Sequence, residues 1–239
     1  MKIAADLHTH NGEVCGHADS TVEGLLSEAS AKGHFCMALT DHGPRIDKTP
    51  VPYYLDNLKR PKIQNGVRLL CGIEADITLS TDGFGFDLSE EELLQLDWVI
   101  ASYHDFAMWP GDPAINTMGY LWALTHPAVD CLGHIGRPPF RCDFEKVVKA
   151  AKTAGKTLEF NNHSFHFGET CCPEVMKLCM KHSLPVVITS DAHINEEVGR
   201  FPLVFEQLER IGFPEELVLN ANKERLQAYL DKRAREKRG

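Results

Sequence analysis

The sequence predicts an α/β protein with a mostly parallel sheet, and three observations support this fold class. Short apolar runs alternate with amphipathic stretches along all 239 residues. The apolar runs are continuous, which is typical of strands buried on both faces of a parallel sheet. Successive strand-then-helix units indicate helical crossovers between parallel strands. One domain spanning residues 1–239 is expected, because α/β barrels commonly have about 200–250 residues.

Seven short apolar segments are the predicted strands. They are Ile3–Leu7, Cys36–Leu39, Arg68–Ile73, Trp98–Ser102, Cys131–Gly133, Thr157–Phe160 and Pro185–Thr189. Such a sheet can remain open and doubly wound or can close into a barrel. The residues after the first strand, His8-Thr9-His10-Asn11-Gly12, lack the glycine pattern of a dinucleotide-binding turn, and the chain contains no Walker A sequence.

The helices lie between these strands. Residues Thr21–Gly33 have apolar residues at helical spacing, with a capping box expected from Ser20 and Glu23 and a stop at Gly33. Asp143–Gly155 repeats this plan, with Asp143 as the expected N-cap. Further helices are predicted at Ser89–Leu96, Ala114–Leu124, Pro173–His182, Val198–Ile211 and Lys223–Arg235. Residues Gly43–Asn65 are interpreted as a long loop that contains a short helix.

Composition restricts the class of protein. The net charge of −9 argues against general binding to long nucleic acid or membrane surfaces, and the basic segment Lys232–Arg238 is interpreted as a solvated helix end. No apolar run approaches the roughly 20 residues of a membrane span. The N-terminus reaches Asp6 and two histidines too early for a signal peptide. The eight cysteines form no C-x-x-C pair, so a cytoplasmic location is expected.

The residues at the carboxyl ends of the strands carry the chemistry. In order, the strand ends are Asp6-Leu7-His8-Thr9-His10, Thr40-Asp41-His42-Gly43, Gly72-Ile73-Glu74-Ala75-Asp76, Ser102-Tyr103-His104-Asp105, Gly133-His134-Ile135-Gly136-Arg137, Glu159-Phe160-Asn161-Asn162 and Thr189-Ser190-Asp191-Ala192-His193. Active sites of α/β barrels are built at this end of the strands. The sequence therefore predicts that these imidazoles and carboxylates meet on one rim.

A metal site accounts for the histidines and carboxylates at these strand ends better than a chance accumulation of such residues does. Two residues apart on an extended strand, His8 and His10 point to one face, and Asp191 and His193 share that spacing. Imidazole and carboxylate are the ligands of Zn, Mn and Fe. A lone histidine at a strand end is usually a hydrogen-bonded rim residue, and this interpretation is retained for His34, His126, His163, His166 and His182. So many polar groups without a metal would be left desolvated and uncompensated.

These motifs resemble the PHP (polymerase and histidinol phosphatase) superfamily, in the same order and from residue 6 to 193. The matching segments are His8-Thr9-His10, Thr40-Asp41-His42-Gly43, Gly72-Ile73-Glu74-Ala75-Asp76, His104, Gly133-His134 and Ser190-Asp191-Ala192-His193. The chain is most similar to the stand-alone phosphoesterases of the family that resemble the YcdX protein. The resemblance implies a single-domain, distorted (β/α)7 barrel of the TIM type.

The resemblance also implies the metal ligands. They are His8, His10, His17, His42, Glu74, His104, His134, Asp191 and His193, with Glu74 bridging two metals. The expected cofactors are two or three divalent metal ions, Zn or alternatively Mn or Fe. His17 follows His10 later than in the related motifs, so residues 14–16 must bulge for it to reach the site. Without His17 the site would hold two metals instead of three.

The expected activity is that of a metal-dependent phosphoester hydrolase, most simply a phosphatase of small phosphorylated metabolites that uses a metal-bound hydroxide. Asp191 and His193 are the predicted catalytic residues together with Arg137, which is expected to bind the phosphate. The alternatives are a phosphodiesterase or exonuclease on nucleotides or short nucleic acids, an amidohydrolase-type hydrolase, and an inactive metal-binding domain. The expected partner is the phosphorylated substrate, without a membrane or long nucleic acid, and a homo-oligomer is plausible.

Overall fold

The computed structural model describes residues 1–13, 16, 18–47, 53–166 and 170–238. The strands are β1 (Ala5–Asp6), β2 (Cys36–Leu39), β3 (Ile63–Gln64), β4 (Val67–Ser80), β5 (Gly83–Phe86), β6 (Trp98–Ser102), β7 (Cys131–Leu132), β8 (Thr157–Asn161) and β9 (Val186–Thr189). The helices are α1 (Val22–Ala31), α2 (Pro44–Asp47), α3 (Glu90–Leu94), α4 (Pro113–Thr125), α5 (Phe144–Ala154), α6 (Cys172–His182), α7 (Pro202–Ile211) and α8 (Lys223–Lys237). Each predicted strand is found, and the largest difference is at β4, which ends at Ser80 instead of the expected Ile73.

The seven predicted strands form a parallel sheet in the order β1-β2-β4-β6-β7-β8-β9. The two short strands β3 and β5 pair antiparallel with β4 and lie off this path. Since strand order follows chain order, the sheet curls in one direction, and its edges β1 and β9 approach each other. The predicted α/β barrel is therefore confirmed, and the open doubly wound alternative is wrong.

The gap between β1 and β9 is bridged by a few polar contacts. A parallel bridge joins Thr9 and Ala192, just beyond the two strands. Near the other end, the buried Asn220 side chain donates to the carbonyl oxygens of Ala5 (2.9 Å) and Ile188 (2.6 Å) and accepts from the amide of Ile188 (3.0 Å). One amide side chain thus satisfies backbone groups of both edge strands. These contacts hold the barrel nearly closed.

The strands are apolar on both faces, as the sequence predicts. On β2, Cys36 and Ala38 belong to an apolar cluster that also contains residues of β1 and β6. Their neighbours Met37 and Leu39 pack in another cluster with Leu25 of α1. Alternate residues of one strand therefore face opposite sides of the sheet. Among the described helices, none is long and apolar enough to cross a membrane.

Three sequence expectations need correction. The N-cap of α1 is Thr21, whose hydroxyl accepts from the amide of Gly24. Ser20, which was expected to form a capping box, instead donates to the carbonyl of His10 (2.5 Å) and accepts from the amide of Gly12 (3.1 Å).

The second correction concerns α7, which begins at Pro202 instead of Val198. In the described parts of 43–65, a 3₁₀ helix (Tyr53–Lys59) and β3 follow α2.

The third correction concerns the basic C-terminal segment, which was expected to be a solvated helix end. Arg233 and Lys237 of α8 instead bind the buried carboxylate of Asp130, which precedes β7. They continue the helix face of Leu226 and Leu230, at positions spaced by three or four residues. The amphipathic face therefore extends into the basic segment and closes the amino end of the barrel.

Candidate metal centre

Seven of the predicted ligands come together at the carboxyl end of the parallel strands. We call this group the rim cluster; it comprises His8, His10, His42, Glu74, His104, His134 and Asp191. All of them are buried except His104, whose side chain is 13 % exposed. The sheet register explains the convergence, because a parallel bridge places His42 beside Glu74, and the closing strands place Asp191 beside His8, whose carbonyl accepts from the Asp191 amide (3.1 Å).

Glu74 lies at the centre of the rim cluster, and its two carboxylate oxygens face different histidines. Oε1 lies 2.7 Å from His134 Nε2 and 3.5 Å from His104 Nε2. Oε2 lies 3.1 Å from His8 Nε2, and it is 3.3 Å from His42 Nδ1. A carboxylate whose oxygens are divided in this way could serve two metal ions.

The remaining distances show that donor atoms converge on common points. Nε2 of His8 and Nε2 of His10 are 3.1 Å apart, and His10 Nε2 lies 3.1 Å from Asp191 Oδ1. Nε2 of His104 and Nε2 of His134 are also 3.1 Å apart. Three groups have ligand atoms within 4.8 Å of one another, namely His8 with His10 and Asp191, His10 with His42 and Glu74, and Glu74 with His104 and His134.

This donor set fits divalent metal ions. A neutral imidazole carries one proton, yet the Nε2 atom of His8 faces the Nε2 atom of His10 as well as carboxylate oxygens of Glu74 and Asp191. A single proton cannot serve all these contacts, whereas a cation placed among the lone pairs can. Imidazole nitrogen and carboxylate oxygen are preferred ligands of Zn, Mn and Fe. The rim cluster therefore has the chemistry of a divalent metal site.

The electrostatics of the cluster support the same interpretation. Burial alone would raise the pKa of Glu74, but His8, His104 and His42 hold that pKa well below its usual range. Asp191 behaves in the same way, since its burial is outweighed by His8, His10 and Arg137, and its pKa is held low. Burial lowers the pKa of His10 to about 4. The two carboxylates are therefore anionic and the His10 ring is neutral at pH 7. For His8 and His104, the nearby carboxylates outweigh burial and raise the pKa of both rings, so metal binding there would displace protons.

The backbone is strained at two of these residues. His134 has φ +28° and Asp191 has φ +60°, a region that residues other than glycine rarely adopt. Gly133 precedes His134, and a Cβ there would lie 2.2 Å from Ser102 Oγ, so only glycine lets the chain approach β6 at this point. Strain of this kind accumulates at functional sites. Here it directs two side chains into the cluster.

Sequence reasoning placed two further carboxylates at the strand ends but did not assign their role, which is to orient histidines. His8 Nδ1 donates to the buried Glu159 at 2.9 and 3.0 Å, and His104 Nδ1 donates to Asp76 Oδ1 at 2.7 Å. Each hydrogen bond fixes the ring and leaves Nε2 to face the cluster. The alternation along β8 places Thr157, Glu159 and Asn161 on one face of the strand, but it does not reveal that His8 is the partner of Glu159.

Asp6 lies behind the rim cluster. Its carboxylate accepts from the backbone amide (3.1 Å) and hydroxyl (2.6 Å) of Ser190 and from the amide of Gly199 (2.8 Å). It therefore holds the backbone that leads into Asp191. Asp41 likewise accepts from the amide of Asn11 (2.6 Å) and from the side chain of Asn57 (3.3 Å).

Arg137 lies inside the site. Its Nη2 donates to Asp191 Oδ2 (2.9 Å) and to Asn161 Oδ1 (3.4 Å), and its side chain is 20 % exposed. The guanidinium therefore stands between the rim cluster and solvent. Two other arginines lie further out. Arg45 Nη1 donates to the carbonyl of Ala107 (3.0 Å), and Arg200 lines a separate cleft with His163 and His166.

The two remaining predicted ligands differ in their placement. The His193 ring lies 4.5 Å from the His10 ring, and its Nδ1 donates to the Asp191 carbonyl (2.8 Å), which places the lone pair of a neutral ring on Nε2. His193 is 23 % exposed and lies at the edge of the cluster. His17, with residues 14 and 15, lies outside the described residues.

Comparison with known proteins places this site in context. A family model described as the PHP domain matches residues 6–163. A protein of Acetivibrio thermocellus named "probable phosphatase" is 43% identical over 98% of this chain and 97% of its own length. Another protein with that name, from Caldanaerobacter subterraneus, is 40% identical over 98% of this chain and 93% of its own.

A solved structure shares the fold at low sequence identity. The histidinol phosphate phosphatase of Lactococcus lactis, in complex with Zn, L-histidinol and phosphate, superposes with a TM-score of 0.58 at 15% identity, covering 90% of this chain and 95% of its own. Fold, site and relatives together define a metal-dependent phosphoesterase. The chain belongs to the PHP domain family, so the resemblance in the sequence motifs is confirmed.

Proposed function

We propose that the protein is a phosphomonoesterase that acts on small phosphorylated metabolites as a single domain and uses two or three divalent metal ions, most simply Zn. The observation that carries this proposal is the divided contact of Glu74, one oxygen facing His134 and the other facing His8. When bound, such ions would polarise phosphoryl oxygens and lower the pKa of coordinated water, to about 7 for Zn.

The protein residues divide the remaining tasks. The three overlapping groups of ligand atoms described above would hold the ions. Glu74 belongs to two groups and could serve two ions through its two oxygens, whereas His10, which also belongs to two groups, would serve one of them. His193 and His17 remain predicted ligands, and the third ion depends on them. Glu159 and Asp76 would keep the Nε2 atoms of His8 and His104 directed at the cluster.

Arg137 would bind the phosphate and Asp191 would position the attacking water. The guanidinium offers several N–H donors in one plane, which matches the geometry of phosphoryl oxygens. Its present hydrogen bond to Asp191 Oδ2 shows that it reaches the metal-facing carboxylate. Asn161 Nδ2 donates to the same oxygen at 3.1 Å, so that the carboxylate is held from two sides. A carboxylate fixed in this way can accept a hydrogen bond from water and direct its lone pair at phosphorus.

A phosphodiesterase is the second candidate, because a second cleft opens beside Asp191. This cleft has a volume of about 290 Å³, and Ser190, His163 and Arg200 are among the residues that line it. Its histidines and arginine could hold the second alcohol or a further phosphate of a diester. The preference for a monoester is based on the acidic net charge of −9, which disfavours polynucleotides, and on the names of the relatives.

The decisive experiment compares initial hydrolysis rates on a phosphomonoester and a matched phosphodiester, each with Zn, with Mn and after chelation. Monoester cleavage that is lost on chelation supports the proposal, whereas faster diester cleavage supports the second candidate. Arg137→Lys is expected to raise KM for the monoester more than it lowers kcat. Arg141→Ala, a change at an exposed arginine four residues later, is the control. Failure of the loaded protein to cleave either ester would contradict both proposals.

A further inference from the structure

A cleft of about 470 Å³ opens directly beside the Glu74 half of the rim cluster. His104, His134 and Arg137 form the wall that faces the metal centre. The opposite part is lined by four aromatic residues, which are Tyr103, Phe106, Tyr120 and Phe140. A phosphate bound by Arg137 at the metal centre would therefore have its alcohol substituent next to these rings.

The aromatic wall is held in place by close packing. The Tyr103 and Phe140 rings stack with centroids 4.9 Å apart and an interplanar angle of 9°, and Tyr103 meets Tyr120 edge to face at 4.7 Å. The Tyr103 hydroxyl donates to the carbonyl of Asn116 at 3.3 Å. A Cβ at Gly119, in the middle of α4, would lie 1.7 Å from that hydroxyl. A helix-weakening glycine thus makes room for Tyr103.

The chemistry of the cleft is largely apolar. Tyr103, Tyr120 and Phe140 are at most 5 % exposed, and Phe106 stands at the mouth with 78 % of its surface exposed. Burial raises the pKa of Tyr103 and of Tyr120, so both phenols remain neutral. A sugar hydroxyl placed against these rings would lose its hydrogen bonds to water without replacement. A flat apolar group would instead gain ring contacts.

Besides the two histidines, the charged side chains among the described residues that line this cleft are Asp105 and Arg137. Arg137 faces the phosphate end, and Asp105 is exposed. The cleft therefore offers few charged groups to the hydroxyl groups of a polyol. Small-molecule sites commonly combine mainly apolar walls with a few polar groups that fix orientation, and this cleft follows that pattern.

We propose that this cleft binds the alcohol portion of the phosphoester and selects aromatic or other flat apolar groups over polyhydroxylated ones, with Phe106 as a specificity-determining residue. This inference rests on the proposed phosphomonoesterase function. In the reaction, water adds to phosphorus, the bond from phosphorus to the alcohol oxygen breaks, and that oxygen takes a proton. The products are inorganic phosphate and an alcohol, which leaves through the mouth of the cleft.

The test compares kcat/KM of the metal-loaded protein for 2-phenylethyl phosphate, ethyl phosphate and glycerol 3-phosphate. All three release a primary alcohol, so that their intrinsic reactivity is similar. We expect the phenyl compound to be preferred by about tenfold or more, since a well-filled apolar pocket discriminates by at least that factor. Phe106→Ala should reduce this ratio about fivefold, and Phe106→Trp should restore it.

Trp109→Ala is the matched control. Trp109 is 87 % exposed, follows Phe106 by three residues and does not line the cleft. This variant should keep the substrate ratio of the wild-type protein. Equal loss in the Phe106 and Trp109 variants would mean that the loop acts only through its general structure, and the inference would be wrong.

A binding measurement separates this inference from the proposed function. Calorimetric titration of the metal-loaded protein with benzylphosphonate and methylphosphonate, which are not hydrolysed, should show tighter binding of the benzyl compound by about tenfold. Hydrolysis of all three esters at equal kcat/KM would overturn the inference and leave the phosphatase intact. If no ester is hydrolysed, the proposed function fails. Equal binding of the two phosphonates would overturn the inference, whether or not the esters are hydrolysed.

Discussion

The two ends of the barrel each bury a cluster of charged groups, but the two clusters differ in how their donors and acceptors are matched. At the amino end, the Asp130 carboxylate accepts from Arg233 Nε (2.9 Å), Lys237 Nζ (2.5 Å) and the amide of Val99 (2.8 Å). Arg233 also donates to the carbonyl oxygens of Pro127 and Val129. We call Asp130, Arg233 and Lys237 the amino-end cluster. Every acceptor in it has a donor.

In the rim cluster, by contrast, several potential ligand atoms face one another. Nε2 atoms lie 3.1 Å apart in two histidine pairs, and two carboxylates meet the same nitrogen atoms. Buried charges persist in proteins when they are paired or when they bind metal. The charged groups are buried at both ends of the barrel, so burial does not distinguish a structural cluster from a functional site. The balance of donors and acceptors does, and at the rim it fits the binding of cations.

Loss of a rim carboxylate should give the largest effect. Asp191→Ala is expected to lower kcat/KM by about a thousandfold, comparable to or greater than the loss of a single transition-state donor, and to remove one metal ion. Its circular dichroism spectrum should match that of the wild-type protein. Metal content measured by elemental analysis, with the exposed Asp82→Ala as control, checks this. Full activity in Asp191→Ala would contradict the assigned site.

Breaking the amino-end cluster should affect stability instead of activity. Asp130→Asn leaves Arg233 and Lys237 buried without their counter-charge, which is expected to lower the free energy of unfolding by about 3–5 kcal/mol. The folded fraction should keep the wild-type kcat and metal content. Urea unfolding combined with activity measurements tests both statements. A variant that keeps its stability and loses metal would reverse the comparison.

Glu159→Gln should have a smaller effect on the metal centre. The carboxylate of Glu159 orients His8 through Nδ1, and loss of such a supporting group typically weakens metal affinity by about 10- to 100-fold. Competition with a chelator measures this change. Glu145→Gln, at an exposed ion pair with Lys181, should leave the affinity unchanged. An unchanged affinity in Glu159→Gln would show that His8 needs no support.

The smallest predicted effect is a pH dependence at the amino end. Burial, followed by the charge of Arg233, lowers the pKa of Lys156 to about 7, although Asp130 opposes this shift. Between pH 7 and the ordinary pKa of lysine the unfolded chain binds the additional proton, so stability should rise with pH by at most about 1.4 kcal/mol per unit. The stability that is gained in this pH range is lost again as the pH falls to 7. Below pH 7 the lysine is protonated in both states, so Lys156 adds no further pH dependence.

Lys156→Met should flatten this part of the stability profile. Urea unfolding at pH 7, 8 and 9 is the measurement, and Lys149→Met, whose side chain is 59 % exposed, is the control. The slope of the control should match that of the wild-type protein. A Lys156→Met variant with an unchanged slope would mean that Lys156 remains charged in the folded state.

Most of the fold could be predicted from the sequence because the strand signal is local. Continuous apolar runs such as Cys36–Leu39 and Trp98–Ser102 match β2 and β6 residue for residue. The hairpin of β4 and β5 was missed, since β4 continues for six residues beyond Glu74 before the turn at Gly83. Beyond the barrel rim, β4 pairs with β5 instead of β6. A local apolar pattern does not reveal such a change of partner.

The site was predictable to the extent that its residues end strands. His8, His42 and Asp191 each follow a buried strand, and parallel strands bring their carboxyl ends together. The role of Glu159 could not be assigned, because its partner His8 is 151 residues away in sequence. The aromatic cleft is also non-local, since Tyr103 stacks on Phe140 from another loop. Tertiary contacts of this kind require the assembled barrel.

The most direct test of the account is calorimetric titration of chelator-treated protein with Zn²⁺, in the wild type and in Glu74→Gln. The account predicts uptake of two or three equivalents by the wild type. It predicts the loss of at least one equivalent in Glu74→Gln, with the fold retained, because Glu74 faces both halves of the rim cluster. Absence of Zn²⁺ uptake by the wild type, or an unchanged stoichiometry in the variant, would contradict the account.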